Sequence, residues 1–342
     1  MKTVAVIVAG GKGGRFWPCS RKKRPKQMLP LISDKPMILE TVLRLSEFQT
    51  LYIVANEFLC ESFKPILPSW VQYIIEPEAR NTGPAIGLAC ATIYHQLGDC
   101  VVLFESADHY YPDVETYIKD LKIASAYVRE HDEVVLIGIH PKSPHTGYGY
   151  IKLGSALSES IYRVDQFREK PDLETAKHFV EQGNYVWNSG IAVGKCSVFL
   201  NEIYQHMPAL SKCLKDAVSS NMNRDVICKE FANTEKISLE FGVYEKSKHI
   251  AVLRSYMGWD DVGDFNSLEQ LLPSKEQNYY KYSEPPIVLN SQNNIILSQK
   301  KVALLGVDDL VVVETDDVIL ICKRSETQKI KDLLSLVEEK YK

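Results

Sequence analysis

The chain has 342 residues, of which 45% are hydrophobic and 25% charged, and its formal net charge is −4. At about 150 residues per domain, this length predicts roughly two domains. The acidic balance argues against a nucleic-acid-binding protein, and no run approaches the roughly 20 apolar residues of a membrane span. The N-terminus lacks a signal-peptide pattern and the eight cysteines form no CxxC pair, which together predict a cytoplasmic protein with free thiols.

The first predicted element is a strand at residues 3–8 (TVAVIV), an apolar and β-branched run that ends at a cluster of glycines. Residues 8–26 hold four glycines and seven basic residues, and no acidic residue precedes Asp34. Backbone N–H groups of such a loop can approach an anion closely. The segment therefore predicts an anion-binding loop directly after the first strand.

Two well-known phosphate loops are excluded by spacing. No Lys-Ser or Lys-Thr follows the glycines, so the Walker A pattern fails, and Phe16 occupies the third glycine position of GxGxxG. A phosphate loop of another kind remains, in which Arg15 and Lys26 supply the positive charge that a polyphosphate requires. For the middle basic residues, 21–24, a solvated loop and a nucleic-acid patch are the alternatives.

Further along the chain, strands and helices alternate. Helical patterns at 83–97 and 114–129 separate apolar runs at 51–55, 71–75, 100–104 and 133–139. This alternation predicts an α/β domain with a mostly parallel, Rossmann-like sheet and helices on both faces. Ligands of such sheets bind at the carboxyl ends of the strands, so the residues after each run are candidates for a site.

The remainder shifts toward β structure. After a strand at 249–256, residues 273–286 are rich in proline and polar residues and predict a linker, and short β-like pieces in 287–324 predict a small β-solenoid or sheet. A helix is expected at 325–341, because its SETQ opening matches a capping box. The expected domains are 1–272, the linker 273–286, and 287–342; exposed strand edges in the last predict a homodimer.

Carboxylates follow two of the strands. Asp108, in SADH, follows the run 100–104, and Asp260 and Asp261 lie side by side in WDDVG. A carboxylate pair of Asp108 and Asp261 would suit a magnesium ion, whereas turn or cap residues are the structural alternative.

Polar residues in the β-rich part suit a sugar ligand. Glu169 ends the run VDQFR, and Asn188 lies between an aromatic residue and Ser-Gly, where it could bind a sugar hydroxyl; both could equally be turn residues. Thr82 or Gly83 is expected to cap the helix 83–97, whose N-terminus favours an anion.

Seven segments, taken together and in this order, resemble one family: AGGKGGRFWPCSRKKRPKQML, EPEARNTGPAI, SADH, TGYGYI, FREKPD, YVWNSGI and WDDVG. The chain is similar over nearly its whole length to the mannose-1-phosphate guanylyltransferases, which are nucleotide-sugar pyrophosphorylases. The resemblance implies the nucleotidyltransferase α/β fold. It also implies transfer of GMP from GTP to mannose 1-phosphate, giving GDP-mannose and pyrophosphate with Mg²⁺ as cofactor.

The resemblance implies a role for each matching residue. Arg15 and Lys26 would be catalytic, Asp108 and Asp261 would hold the metal, and the remaining residues would bind the substrates. The nucleotide would contact Gly10, Gly11, Gly13, Gly14, Arg80 and Asn81, and the sugar phosphate would contact Gly149, Glu169, Lys170 and Asn188.

Several positions depart from the family's pattern. Lys12, Gly14 and Phe16 replace Ser, Thr and Leu of the first motif, Glu105-Ser replaces Leu-Pro, and Glu240 stands where the family usually has Asp. The exact sugar phosphate therefore stays open. One alternative is a nucleotidyltransferase with other substrates, above all one that uses GTP with a different sugar phosphate. The other alternative is a non-catalytic regulatory subunit that senses nucleotide sugars.

Overall fold

A computed structural model describes residues 1–11 and 13–342; Lys12, a position where the first motif departs from its family, lies outside the described residues. The chain divides into two compact units, each built from several segments. The first unit comprises Met1–Gly10, Val42–Ala107 and Tyr111–Trp259. The second unit comprises Gly11–Thr41, Asp108–Tyr110 and Asp260–Lys342.

Within the described residues, the first unit contains a nine-stranded sheet. Its strands are β1 (Thr3–Val8), β2 (Leu51–Asn56), β3 (Gln72–Glu76), β4 (Val101–Ser106), β5 (Val134–Ile139), β6 (Tyr150–Ala156), β7 (Ile161–Arg168), β8 (Tyr185–Lys195) and β9 (Ile250–Ser255). Their order is β3-β2-β1-β4-β8-β5-β9-β7-β6. The apolar runs of the sequence thus form strands buried on both faces, as predicted.

The sheet is mixed, although the sequence predicted a mostly parallel one. Strands β1 to β4 pair in parallel, but β8 runs antiparallel to β4, β5 and β6, and β7 runs antiparallel to β6 and β9. Hairpin pairing accounts for one of these antiparallel pairs, that of β6 with β7, because such a connection requires no crossover helix. The α/β fold class is confirmed, with fewer parallel pairs than expected.

Helices flank the sheet of the first unit. They are α2 (Glu57–Phe63), α3 (Thr82–Leu97), α4 (Val114–Glu130), α5 (Leu173–Gln182), α6 (Cys196–His206), α7 (Pro208–Ser219) and α8 (Arg224–Phe231), while α1 (Met37–Arg44) begins in the second unit. Helix α5 ends at Gly183, which adopts the left-handed conformation that glycine accepts without a steric penalty. None of the helices in the described residues has the length and apolar character needed to cross a bilayer.

The C-terminal part of the second unit is a small β-helix. Its strands are β10 (Ser274–Lys275), β11 (Asn278–Lys281), β12 (Ile287–Leu289), β13 (Ile295–Leu297), β14 (Ala303–Leu305), β15 (Leu310–Glu314) and β16 (Ile319–Lys323). Strands β11, β13 and β15 stack in parallel, and β12 stacks on β14. Asn294 donates to the Asn278 side chain 16 positions earlier at 2.8 Å, so buried amides align successive coils.

The long C-terminal helix expected at 325–341 is wrong. The segment forms a 3-10 helix at Arg324–Lys329, the short α9 (Ile330–Leu333) and a further 3-10 turn at Glu339–Tyr341. Thr327, in the expected first turn, instead donates its hydroxyl to Asp264 at 2.9 Å, and Asn266 binds the Arg324 carbonyl at 3.0 Å. These tertiary hydrogen bonds override the local capping preference.

Candidate functional site

The glycine loop of the second unit is held in a tight turn. Residues Gly14–Phe16 form a 3-10 turn, preceded by Gly13 at φ 63° in the left-handed region. The Gly13 carbonyl accepts hydrogen bonds from the Phe16 amide at 3.0 Å and the Ser20 hydroxyl at 2.7 Å. A Cβ atom on Gly13 would lie 2.3 Å from Lys26 Cβ, so only glycine fits here.

Lys26 links the loop to both metal-binding candidates. Its Nζ lies 2.8 Å from Asp108 Oδ2 and donates to the Asp261 carbonyl oxygen at 2.9 Å. The lysine side chain is 7% exposed and that of Asp108 is 18% exposed. The second unit therefore brings together three residues that the sequence singled out, and Lys26 is held at a fixed position beside Gly13.

Arg15 keeps part of its guanidinium available. Within residues 1–11 and 13–342, its Nη1 makes one long contact, of 3.5 Å, to the Gly263 carbonyl. Among the described residues, nothing accepts a hydrogen bond from its buried Nε atom. Buried donors are nearly always satisfied in folded proteins, so an unsatisfied guanidinium Nε marks a place where an anion would be stabilised.

The two adjacent aspartates have different surroundings. Asp260 Oδ1 accepts the Val262 amide at 2.6 Å, and burial raises the pKa of Asp260. Val262 has φ 45°, which is strained for a β-branched residue. The Asp261 carboxylate instead lies against Gly263. A Cβ atom on Gly263 would be 3.1 Å from each of its two oxygens. The loop therefore uses Asp260 to fix its backbone.

A divalent cation fits this donor set. In residues 1–11 and 13–342, no group of three or more His, Cys, Asp or Glu residues is placed to hold a metal. Lys26 instead contacts Asp108 through its carboxylate and Asp261 through its backbone carbonyl, which brings these two acidic residues to one lysine. Mg²⁺ is commonly bound by one or two carboxylates together with substrate phosphates and water, so two carboxylates are sufficient.

In the first unit, a buried carboxylate lies at the end of β3. Glu76 is 4% exposed, and its Oε1 accepts the Arg80 amide at 3.2 Å. A Cβ atom on Gly10 would lie 3.8 Å from the other oxygen, Oε2. Burial raises the pKa of Glu76 to about 6. Glu76 was not among the residues predicted from the sequence, although its position at the carboxyl end of an apolar strand was an available signal.

The neighbouring residues Arg80 and Asn81 organise the start of α3. The guanidinium of Arg80 donates to Glu78 through Nε at 2.9 Å and also contacts the Thr234 carbonyl. Asn81, at φ 70°, accepts the Thr82 amide through Oδ1 at 2.9 Å and is the N-cap. The expected cap at Thr82 or Gly83 is therefore wrong by one residue, because Asn81 supplies the side-chain acceptor.

The four sugar-phosphate candidates lie together in the first unit. A Cβ atom on Gly149 would be 2.5 Å from Glu169 Oε2 and 3.4 Å from Asn188 Cβ. The backbone N–H of Asn188 donates to the Gly149 carbonyl at 2.8 Å, and Lys170 Nζ lies 2.6 Å from Glu169 Oε1. One small cluster thus combines a carboxylate, an ammonium and an amide, which can bind both hydroxyl and phosphate groups.

Glu240, a position where the chain departs from its family, lies beside this cluster. It begins a π-helix, Glu240–Tyr244, and its Oε2 accepts from the Thr82 hydroxyl at 3.4 Å. Burial raises the pKa of Glu240, and the negative charge of Glu169 raises it further. Single π-helical turns frequently occur at functional sites.

The mixed α/β sheet and the C-terminal β-helix each correspond to a known family model. Residues 4–278 match the nucleotidyl transferase family, and residues 285–336 match the mannose phosphate isomerase/GMP-like β-helix domain. The chain belongs to the nucleotidyl transferase family.

Similar proteins indicate which members of the nucleotidyl transferase family this chain resembles. A mannose-1-phosphate guanylyltransferase of Klebsiella pneumoniae is 33% identical, over 98% of this chain and 74% of that protein. The xanthan biosynthesis protein XanB of Xanthomonas campestris is 32% identical, over 97% of this chain and 73% of that protein. A crystal structure described as a mannose-1-phosphate geranyltransferase from Thermus thermophilus superposes with a TM-score of 0.90 at 28% identity, covering 98% and 99% of the two chains. The family resemblance seen in the sequence is confirmed.

Proposed function

We propose that this nucleotidyltransferase transfers GMP from GTP to α-D-mannose 1-phosphate, forming GDP-mannose and pyrophosphate. The observation that carries the proposal is the cluster of Arg15, Lys26, Asp108 and Asp261 in the second unit. Similarity to proteins named mannose-1-phosphate guanylyltransferase supports the choice of substrates.

In this reaction an oxygen of the sugar phosphate attacks the α-phosphorus of GTP in line, and the bond to the leaving pyrophosphate breaks. The attacking phosphate is already ionised near pH 7, so no general base is required. The main obstacle is repulsion between two anions, which positioned cations reduce. Lys26 and Arg15 supply this charge from the glycine loop.

Asp108 and Asp261 would hold Mg²⁺. When bound, a divalent cation neutralises phosphate charge and polarises phosphoryl oxygens. Lys26, fixed against Asp108 and the Asp261 carbonyl, orients these groups and presents its own ammonium to the phosphates. Arg15 Nε donates to the nucleotide phosphates and thereby gains the partner that it lacks among the described residues.

We assign the remaining candidates to the two substrates. The nucleotide contacts the backbone of the glycine loop and the start of α3, whereas the sugar phosphate contacts the cluster around Gly149. The nucleotide residues are Gly10, Gly11, Gly13, Gly14, Arg80 and Asn81. The sugar-phosphate residues are Glu169 and Asn188 for hydroxyls and Lys170 for the phosphate, with Gly149 leaving space for Glu169.

A second candidate is transfer of GMP to a different sugar 1-phosphate. The observation that favours it is Glu240, whose carboxylate lies near Glu169 and Lys170 and is longer than the family's Asp. A regulatory subunit without activity is the remaining alternative. The complete set of Arg15, Lys26, Asp108, Lys170 and Asp261 favours an active enzyme.

The test is incubation of the purified protein with Mg²⁺, mannose 1-phosphate and each of GTP, ATP, UTP, CTP and dTTP. Released pyrophosphate gives the rate, and mass spectrometry identifies the product. We expect GDP-mannose from GTP alone. Turnover with another nucleotide, or faster turnover when glucose 1-phosphate replaces mannose 1-phosphate, would overturn the substrate assignment. Absence of pyrophosphate from a folded protein that binds GTP would favour the regulatory subunit.

We also propose that the β-helix forms a homodimer. Ile287, Leu289 and Leu305 are 58%, 60% and 70% exposed on the small β12–β14 sheet, and Leu289 and Leu305 are direct partners in its register. Contiguous exposed apolar residues of this kind commonly mark interfaces. Leu305→Asp should shift the mass measured by light scattering from dimer to monomer, whereas a wild-type monomer would contradict the proposal.

A further inference from the structure

The C-terminal segment of the second unit packs directly onto the glycine loop. A Cβ atom on Gly14 would lie 3.2 Å from Leu334 Cδ1 and 3.9 Å from Lys331 Cγ. Both residues belong to the turns formed by α9 and the residues after it. The stem of Lys331 therefore lies beside the first residue of the 3-10 turn that carries Arg15.

Hydrogen bonds fix this segment at its far end. Trp17 Nε1 donates to the Tyr341 carbonyl at 2.8 Å, and the Arg21 guanidinium donates to the same oxygen. Arg21 also pairs with Asp317 at 2.7 Å. Part of the basic run 21–24 thus acts as a structural clamp, and the position of Lys331 is determined by packing at Gly14 and by this clamp.

Lys331 and Lys329 differ in their ion pairing. Across the described residues, no salt bridge involves Lys331, whereas Lys329, two positions earlier, pairs with Glu326 at 2.7 Å. Partial burial lowers the pKa of Lys331, the positive charge of Arg15 lowers it further, and the adjacent Asp332 carboxylate offsets part of this effect. The Lys331 ammonium therefore lies close enough to the Arg15 guanidinium for the two cations to repel each other.

A bound polyphosphate would remove this repulsion. Arg15 offers the buried Nε donor described above, and the largely exposed Lys331 offers three ammonium donors. Lys26 is already engaged by Asp108 and the Asp261 carbonyl, so it cannot neutralise the whole triphosphate alone. The negative charge that Lys26 does not neutralise lies on the two phosphates that leave as pyrophosphate.

We propose that Lys331 is a further phosphate-binding residue, which pairs with Arg15 to hold the diphosphate portion of the nucleotide that leaves as pyrophosphate. This inference rests on the proposed nucleotidyl transfer, since it assigns the leaving group of that reaction. The C-terminal segment then supplies a functional group to the glycine loop as well as packing against it.

The experiment titrates inorganic pyrophosphate with Mg²⁺ into wild-type protein, Lys331→Met and the matched control Lys329→Met, using isothermal calorimetry. Loss of a charge-assisted contact should weaken pyrophosphate binding roughly tenfold to a hundredfold in Lys331→Met. We expect Lys329→Met to bind within about twofold of wild type, and Lys331→Arg to retain most of the affinity.

Kinetics in the reverse direction give a second readout. In Lys331→Met the KM for pyrophosphate should rise, while the KM for mannose 1-phosphate in the forward direction stays unchanged. The inference would be overturned if Lys331→Met and Lys329→Met bound pyrophosphate with the same affinity, whether that affinity equals or falls below that of wild type. It would also be overturned if wild-type protein did not bind pyrophosphate. Pyrophosphate binding that depends on Lys331 without any GDP-mannose formation would support Lys331 and reject the proposed substrates.

Discussion

Two carboxylates that are three residues apart in the chain, Glu105 and Asp108, each pair with a cation, and the two pairs are built differently. In the first unit, Arg44 Nη2 lies 3.0 Å from Glu105 Oε1, and their side chains are 8% and 0% exposed. The Tyr117 hydroxyl also donates to Glu105, and the Tyr111 ring lies 4.8 Å from the Arg44 guanidinium carbon. In the second unit, Lys26 and Asp108 approach to 2.8 Å, with Asp108 18% exposed.

The difference separates a structural pair from a functional one. Arg44 and Glu105 are enclosed by the protein's own donors and rings, so no small molecule can reach them. Asp108 keeps an accessible side chain next to a lysine and a glycine loop, which is what a ligand requires. We therefore expect the closed pair to govern stability and the open pair to govern activity.

Breaking the closed pair should have the largest effect. Arg44→Met leaves Glu105 buried without its cation, which should lower the free energy of unfolding by about 3–5 kcal/mol. The measurement is urea unfolding followed by circular dichroism. The double variant Arg44→Met/Glu105→Leu should recover most of the loss, because no buried charge remains. A single variant as stable as wild type would show that the pair does not act as a closed unit.

Removal of the loop arginine should affect activity instead. Arg15→Ala should lower kcat/KM roughly 100- to 1000-fold, because a donor to developing phosphate charge is lost. The urea midpoint should stay near the wild-type value, since the hydrogen bond of Arg15 to Gly263 is long, at 3.5 Å. Steady-state kinetics with GTP check this. An unchanged rate would remove Arg15 from the mechanism, and a large fall in stability would make it structural.

Glu76 extends the comparison of the closed and open pairs to a buried carboxylate whose pKa is raised by burial. Its pKa of about 6 in the folded protein exceeds that of the unfolded chain, so folding takes up a proton and stability falls as pH rises from about 4.5 to 6. Above pH 6 the full penalty is about 2 kcal/mol.

Glu76→Gln should therefore be more stable than wild type at pH 7.5 and nearly equal to it at pH 4.5. Unfolding curves at the two pH values check this difference. A stability difference that is the same at both pH values would show that ionisation of Glu76 is not its origin.

The smallest expected effect concerns the metal. Asp261→Asn should raise the Mg²⁺ concentration needed for half-maximal activity about tenfold, or ~1.4 kcal/mol, because one negative ligand is lost. Asp260→Asn is the matched control, since Asp260 accepts the Val262 amide and an amide oxygen can do the same. If Asp260→Asn raised the requirement and Asp261→Asn did not, the two assignments would be exchanged.

Much of the first unit could be predicted from local sequence. Apolar β-branched runs such as TVAVIV specify buried strands, and Gly183 ends a helix through its own backbone geometry. Asn81 offered an equally local signal for the start of α3, although the cap was expected one residue later. In the second unit, the position of Asp108 after an apolar run was likewise visible. These features depend on neighbouring residues only, and periodicity alone contains the information.

Contacts between distant residues could not be predicted in this way. Lys26 reaches the Asp261 carbonyl across 235 positions, and Arg44 reaches Glu105 across 61. The C-terminal helix was predicted incorrectly for the same reason, since Asp264 binds Thr327 across 63 positions. The spacing of residues in the sequence does not predict such contacts. Family resemblance implied a catalytic role for Lys26 but did not indicate that it binds Asp108.

The backbone at Gly13 has a consequence for variation among chains of this kind. Gly13 and Gly183 both have positive φ, but a Cβ atom would collide with Lys26 at the first and meet nothing within 4 Å at the second. Asparagine tolerates the left-handed region, so it could occupy position 183. In a randomised library selected for function, codon 183 would yield both glycine and asparagine, whereas codon 13 would yield glycine alone.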